Sequence, residues 1–192
     1  AVMRKIHLAK CLEQNDWQAI RDDINKNPIK GILDSSNNDQ IIETLAQLGI
    51  KITDDSQLKK VEVELWGSGS PRREFLHVAD MAVASLFVLE LNEKTYQANT
   101  KSMLSHINVG TGKEVTVRKM AETIRQIVGY QGEITFVNSS LNIQHSTLPL
   151  SDGSLRKLID VSRLSKMGWK YNINLEDGLE KTYNWYLNQD KL

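Results

Sequence analysis

Between Val61 and Leu91 the chain passes from a strand-like alternation, through a turn dense in glycine and proline, into a long apolar stretch. Val61, Val63 and Leu65 alternate with Glu62 and Glu64, which predicts a strand with one face in water. Phe75, Leu76 and Val78 predict a second strand. Asp80–Leu91, with Met81, Ala82, Val83, Ala84, Leu86, Phe87, Val88 and Leu89, predicts a buried helix. Strand, turn, strand and helix in this order point to an α/β arrangement. The segment Trp66-Gly67-Ser68-Gly69-Ser70-Pro71-Arg72-Arg73 sets an aromatic plate, two glycines, a proline and two arginines in one turn. That chemistry suits an anionic, ring-bearing ligand.

The flanking sequence divides into further elements. Residues 1–15 predict a helix, on Val2, Ile6 and the apolar positions of Leu8–Leu12, and Ala1–His7 reads as the middle of an amphipathic helix rather than a signal peptide. Residues 16–60 are rich in Asp, Asn, Lys and Gln. Trp17, Ile20 and Ile24, then Ile41, Leu45 and Leu48, fall at helical spacing, with breaks at Asn27-Pro28 and 34–39 and a stop at Gly49. This stretch reads as a small helical insertion or as a surface excursion. Further on, 93–103 predicts a polar helical continuation, His106-Ile107-Asn108-Val109 a short strand, and Glu133–Val137 another strand. Val117, Met120, Ala121, Ile124 and Ile127-Val128 form a helical stripe behind the N-cap residue Thr116. A polar loop from 139 leads to a short helix over Asp160–Met167. A last helix begins behind Asn174, with Asp177 three residues on.

Composition excludes several classes of function. At 192 residues, the chain has room for one domain, or a domain with an appendage. Lys+Arg and Asp+Glu both number 24, and zero net charge argues against a dedicated nucleic-acid binder. No apolar run approaches the ~20 residues of a membrane helix. Cys11 is the single cysteine, so no intrachain disulfide forms and a reducing, cytosolic setting is expected. His7, His77, His106 and His145 show no metal-ligand spacing, and no metal is expected. His77 and His106 read as polar strand residues.

Candidate chemistry concentrates on a few residues. Gly110-Thr111-Gly112 reads as a phosphate loop or as a tight strand-to-helix turn. It lacks the third glycine of a dinucleotide fingerprint and the Lys-Ser/Thr of a P-loop, which favours the turn. Arg73 reads as a phosphate clamp or as half of a structural ion pair, and Trp66 as a stacking plate or a core aromatic ending a strand. No Gly-x-Ser-x-Gly elbow occurs. None of Tyr96, Tyr130, Tyr171, Tyr183 or Tyr186 has lysine four residues on, as the acid–base pair of short-chain dehydrogenases requires.

Four segments, in order, carry a resemblance: 66–78 (Trp-Gly-Ser-Gly-Ser-Pro-Arg-Arg-Glu-Phe-Leu-His-Val), 103–112, 151–160 and 175–187, joined by Arg-Lys-Ile-His at 4–7. Together they resemble the C-terminal part of the GDP-L-fucose synthases. These are NADPH-dependent GDP-4-keto-6-deoxy-D-mannose 3,5-epimerase/4-reductases of the extended short-chain dehydrogenase/reductase family, and the resemblance covers 1–9 and 61–190. It implies an α/β fold holding the substrate-binding lobe, with a strand and helix near 105–129 completing the Rossmann-type sheet. It also implies a helix at 1–9 entering that lobe, an insertion at 10–60 absent from the short form of the family, and the lobe itself over 61–192.

The same resemblance implies substrate-binding roles for Lys5, Trp66, Arg73 and Asp152, with Lys157 a second cation near the nucleotide. Lys5 stands where arginine is common and keeps the charge without the fork. Ala79 replaces a common acid, and Leu155 a common proline before Arg156-Lys157. The resemblance implies a GDP-sugar substrate, and NADP(H) bound mainly by an N-terminal Rossmann half that holds the glycine-rich loop, the Ser-Tyr-Lys set and the Cys/His pair. On that basis the chain carries no catalytic or cofactor-binding residue of its own and is inactive alone. Its partner is that N-terminal half or a second copy in a homodimer. The competing readings are a non-catalytic nucleotide-sugar-binding or regulatory module, and part of a related nucleotide-sugar epimerase.

Overall fold

Ile6, Ala9 and Leu12 recur every three or four residues, and helix α1 (Val2–Glu13) buries them along with Leu8 and Cys11. The computed structural model describes residues 1–33, 35–55, 58–137 and 152–188. They form an α/β fold in two units. The first comprises Ala1–Ser70 and Arg118–Asp152, the second Pro71–Val117 and Gly153–Leu192.

In the first unit α1 is followed by α2 (Trp17–Lys26), whose N-terminus is capped by Asp16 accepting from the Ala19 amide at 3.0 Å. Arg4 Nε donates to Asp23 across 2.7 Å and ties α1 to α2. Helix α3 (Asn38–Gln47) opens on a capping box between Asn37 and Gln40. Position 34 of the expected break lies outside the described residues. The stretch read as a helical insertion is not wholly helical. Strand β1 (Ile50–Asp55) runs antiparallel to β2 (Leu58–Trp66), pairing Ile52 with Val61. The cause is the two-residue period of Ile50 and Ile52 against Lys51 and Thr53. Helix α6 (Val117–Val128) leads to β5 (Glu133–Val137), which runs parallel to β2 and pairs Val137 with Trp66. The sheet order is β1-β2-β5. Ile6, Ile20, Ile41, Leu45, Ile50, Val63 and Val128 are fully buried. The polar loop expected from 139 lies outside the described residues as far as 151.

The second unit is built on a small mixed sheet, β3 (Arg72–Glu74) between β4 (Glu114–Thr116) and β6 (Arg156–Lys157). The same unit holds α4 (Val78–Leu89), α5 (Glu93–Asn99), α7 (Ser162–Lys166) and α8 (Leu175–Leu187). Asn174 caps α8 by accepting from the Asp177 amide at 2.9 Å. Three expectations fail here. No strand forms over Phe75–Val78, because the His77 ring accepts the Ala79 amide at 3.2 Å and starts α4 instead. No strand forms at His106–Val109. Ile107 and Val109 pack onto the cluster of Ala84, Leu164 and Trp169, and Asn108 donates to the Asp160 carbonyl at 3.0 Å, so side chains rather than a ladder hold this segment. The strand ahead of α6 is β4, which belongs to this small sheet, so the strand expected near 105–129 does not join the β1-β2-β5 sheet, whose parallel partner for β2 is β5.

Nor is α4 a buried helix. Ala84 and Asp80 are buried, yet Leu86 is 58% and Leu89 80% exposed, because a helix apolar all round meets the Leu164–Trp169 cluster on one side only. No helix among the described residues is long and apolar enough to cross a membrane.

Candidate functional site

At the end of β2 the chain turns sharply, and Gly67 permits the turn. Its φ is +91°, and a Cβ there would lie 2.6 Å from Asp152 Oδ1. With no side chain in the way, Asp152 grips the next residue. Oδ1 accepts the Ser68 amide at 2.7 Å and Oδ2 the Ser68 hydroxyl at 2.6 Å. Ser68 Oγ in turn accepts the Ser70 amide at 3.0 Å. On the other side, Arg118 donates to the Ser68 carbonyl at 3.1 Å and lies 4.2 Å over the Phe136 ring. Asp152 thus shapes the turn that follows Trp66.

Trp66 remains 52% exposed, so it is no core aromatic. Lys5 Nζ stands 5.5 Å from the centre of its ring and 3.3 Å from the Glu64 carbonyl. Burial lowers the Lys5 ammonium below its ordinary value, while the Glu64 carboxylate pulls it back up. Lys5, Trp66 and the Asp152-held turn all belong to the first unit.

In the second unit the two adjacent arginines divide the roles that the sequence leaves open. Arg72 Nε donates to Glu114 at 2.7 Å, and Arg156 Nε donates to the other oxygen of the same carboxylate at 2.8 Å. Those bonds, Arg156 first, hold the Glu114 carboxyl below its usual range. Arg72 is therefore the ion-pair arginine. Strand alternation turns Arg73 the other way. It stands in register with Val115 on one side and Lys157 on the other. Among the described residues Arg73 has no carboxylate partner; one of its N–H groups donates to the Arg72 carbonyl at 2.8 Å. Arg73 and Lys157 line one cavity of about 400 Å³ with Leu76, Val109, Leu158 and Ile159.

The Gly110-Thr111-Gly112 loop is a turn and not a phosphate cradle. The Thr111 and Gly112 amides donate to Glu74 at 2.5 and 2.6 Å, so a carboxylate already holds the groups a phosphate would need. With these amides engaged, the described residues offer no dinucleotide cradle here. Glu74, Asp80 and Glu114 escape the sequence reading. Asp80, 3% exposed, accepts the Asn172 and Ile173 amides at 3.1 and 2.9 Å. The available signal is an acid standing alone beside apolar residues, as in Glu74-Phe75-Leu76 and Ala79-Asp80-Met81. His145 lies outside the described residues. Among those described, no group of His, Cys, Asp and Glu is placed to hold a metal ion. Cys11 is a buried free thiol that burial pushes up to about 11.

Residues 37–110 match the NAD dependent epimerase/dehydratase family. The GDP-L-fucose synthase of Escherichia coli is 50% identical over 131 residues, 68% of this chain and 38% of that protein. The chain is a relative of the GDP-L-fucose synthases. GDP-L-fucose synthase 1 of Arabidopsis thaliana is 43% identical over 126 residues, 66% of this chain and 33% of that protein. A GDP-6-OMe-4-keto-L-xylo-heptose reductase from Campylobacter jejuni aligns with a TM-score of 0.76 at 33% identity, over 98% of this chain and 47% of the reductase. A GDP-D-glycero-L-gluco-heptose synthase from the same organism, solved in the presence of NADPH, aligns at 0.71 and 31%, over 98% and 46%. The chain spans between a third and two fifths of the length of the curated synthases it matches.

Proposed function

We propose that the chain is the GDP-sugar-binding part of an enzyme of the GDP-L-fucose synthase type, which turns GDP-4-keto-6-deoxy-D-mannose into GDP-L-fucose with NADPH. The observation that carries this reading is the division of labour between Arg72 and Arg73. Arg72 shares the Glu114 carboxylate with Arg156, while its neighbour faces a cavity beside Lys157. In this reading Arg73 and Lys157 hold the GDP diphosphate, Arg73 by the two-pronged geometry that lysine lacks. Lys5 and Trp66 contact the substrate, and Asp152 acts through the Ser68 turn. NADPH supplies the hydride, held by a separate Rossmann part that also carries the acid–base residues, so the chain alone neither reduces nor epimerises. A part of that kind, or a second copy, completes the enzyme.

Calorimetric titration of the chain with GDP and UDP tests the proposal. Expected is binding that prefers GDP and weakens about 10- to 100-fold in R73A, the worth of a charge-assisted phosphate contact. Equal binding by R73A, or NADPH turnover by the chain alone, overturns it. The closed core of the first unit favours a second reading, a stand-alone nucleotide-sugar-binding module. GDP binding that needs no partner supports the module, whereas binding restored only by adding a relative's NADP-binding part supports the enzyme.

A further inference from the structure

Glu74 sits at the end of β3, next to Arg73, and its carboxylate is shared between two loops remote in sequence. Oε1 accepts the Thr111 and Gly112 amides at 2.5 and 2.6 Å and the Thr111 hydroxyl at 3.2 Å. Oε2 accepts the Ile159 amide at 3.2 Å. Gly110 makes the approach possible, since a Cβ there would stand 2.5 Å from Glu74 Oε1. Both loops line the Arg73–Lys157 cavity, one through Gly110 and the other through Leu158 and Ile159, and Glu74 lines it as well. Lys157 is the last residue of β6, two positions before the amide that Glu74 holds.

The geometry points to Glu74 as a positioning residue, a clasp that joins the 110–112 and 157–159 loops so that Lys157 stays beside Arg73 over the cavity. Its consequence for diphosphate binding rests on the function proposed above. A carboxylate is suited to this task because it accepts from several backbone donors at once, and its two oxygens reach two segments. Without it, three amides turn to water and the loops move independently.

The test is residue-resolved amide hydrogen exchange, with inorganic pyrophosphate titrated into the same samples, for wild type, E74A, E74Q and G110A. In E74A, exchange at Thr111, Gly112 and Ile159 rises together by about tenfold or more, while Ile50 and Val63 in the first unit keep wild-type protection. Pyrophosphate binding weakens about tenfold in the same variant. E74Q keeps one acceptor oxygen and frees only one of the two loops. G110A displaces Glu74 and reproduces E74A, so the test survives if E74A does not fold. In E74A, wild-type exchange at Ile159 when Thr111 and Gly112 are released overturns the clasp. Release of all three amides with unchanged pyrophosphate affinity overturns the placing of Lys157 by the clasp. If the wild type takes no pyrophosphate, the diphosphate reading falls by itself, and joint release of the three amides still establishes the clasp.

Discussion

The two units are held together by different forces. In the first, seven large aliphatic side chains from four helices and two strands are fully buried, and each helix finds a place to hide its apolar face. In the second, the buried cluster is Ala84, Leu164 and Trp169, while much of α4 stays in water. Its chain path leans on carboxylates that take backbone amides, Glu74 at two loops and Asp80 ahead of α8, as Asp152 does at the single Ser68 turn of the first unit. Apolar burial is spread over many side chains. A carboxylate clasp depends on one side chain, because its two acceptor oxygens hold several amides at once. The cation-bearing cavity thus lies in the unit whose loops depend more on single carboxylates.

The sharpest way to break this comparison is to truncate one leucine in each unit. L45A in the first unit should lower stability by about 2 to 5 kcal/mol, the cost of a cavity in a closed core. L86A on the exposed side of α4 should change it by no more than about 0.5 kcal/mol. Urea unfolding of both variants decides, and equal losses would show that α4 is covered in solution.

Acid titration should separate the units next. Burial lowers His7 below its ordinary 6.5, with Asp23 opposing, so the unfolded chain binds more protons there than the folded one. Stability of the first unit therefore falls as pH drops from about 6.5 toward the lowered folded value, and H7Q should flatten that limb. Glu114 is depressed below 4.5, chiefly by its bond from Arg156. Its contribution is present above that value and is lost as pH falls through the depressed one, with E114Q removing the step. Circular dichroism melts across pH would show two windows, and a single shared window would count against the division.

The smallest effect is chemical. With its thiol pushed up to about 11, folded Cys11 should alkylate far more slowly than unfolded chain at pH 8. Because Cys11 is buried in α1, its labelling rate also reports opening of the first unit.

Much of the fold was legible from local pattern. The Val61–Leu65 alternation, the stripes of α2, α3 and α6, and the Asn174 cap all appear where spacing puts them, because each depends on neighbours a few residues away. The failures share one cause. An apolar run reads the same for a buried and a half-covered helix, so α4 misled. His106–Val109 has strand-like residues but no partner strand. The site was partly legible in the same sense. Trp66 and Arg73 stood out by residue type and Lys157 through the resemblance, but nothing local distinguishes Arg72 from Arg73 or shows that Gly110-Thr111-Gly112 wraps a carboxylate.

By itself, the sequence determined the α/β class, the helix and strand periods, the resemblance of 66–78 and its companion segments, and the exclusion of an intrachain disulfide. Only the tertiary structure decided which arginines Glu114 pairs with, which amides Glu74, Asp80 and Asp152 hold, and which apolar faces stay in water. Those outcomes depend on groups dozens of residues apart in the chain, from Glu74 to Thr111 and Ile159 and from Ser68 to Asp152. A carboxylate takes whichever donors the fold brings to it, and local sequence does not encode that choice.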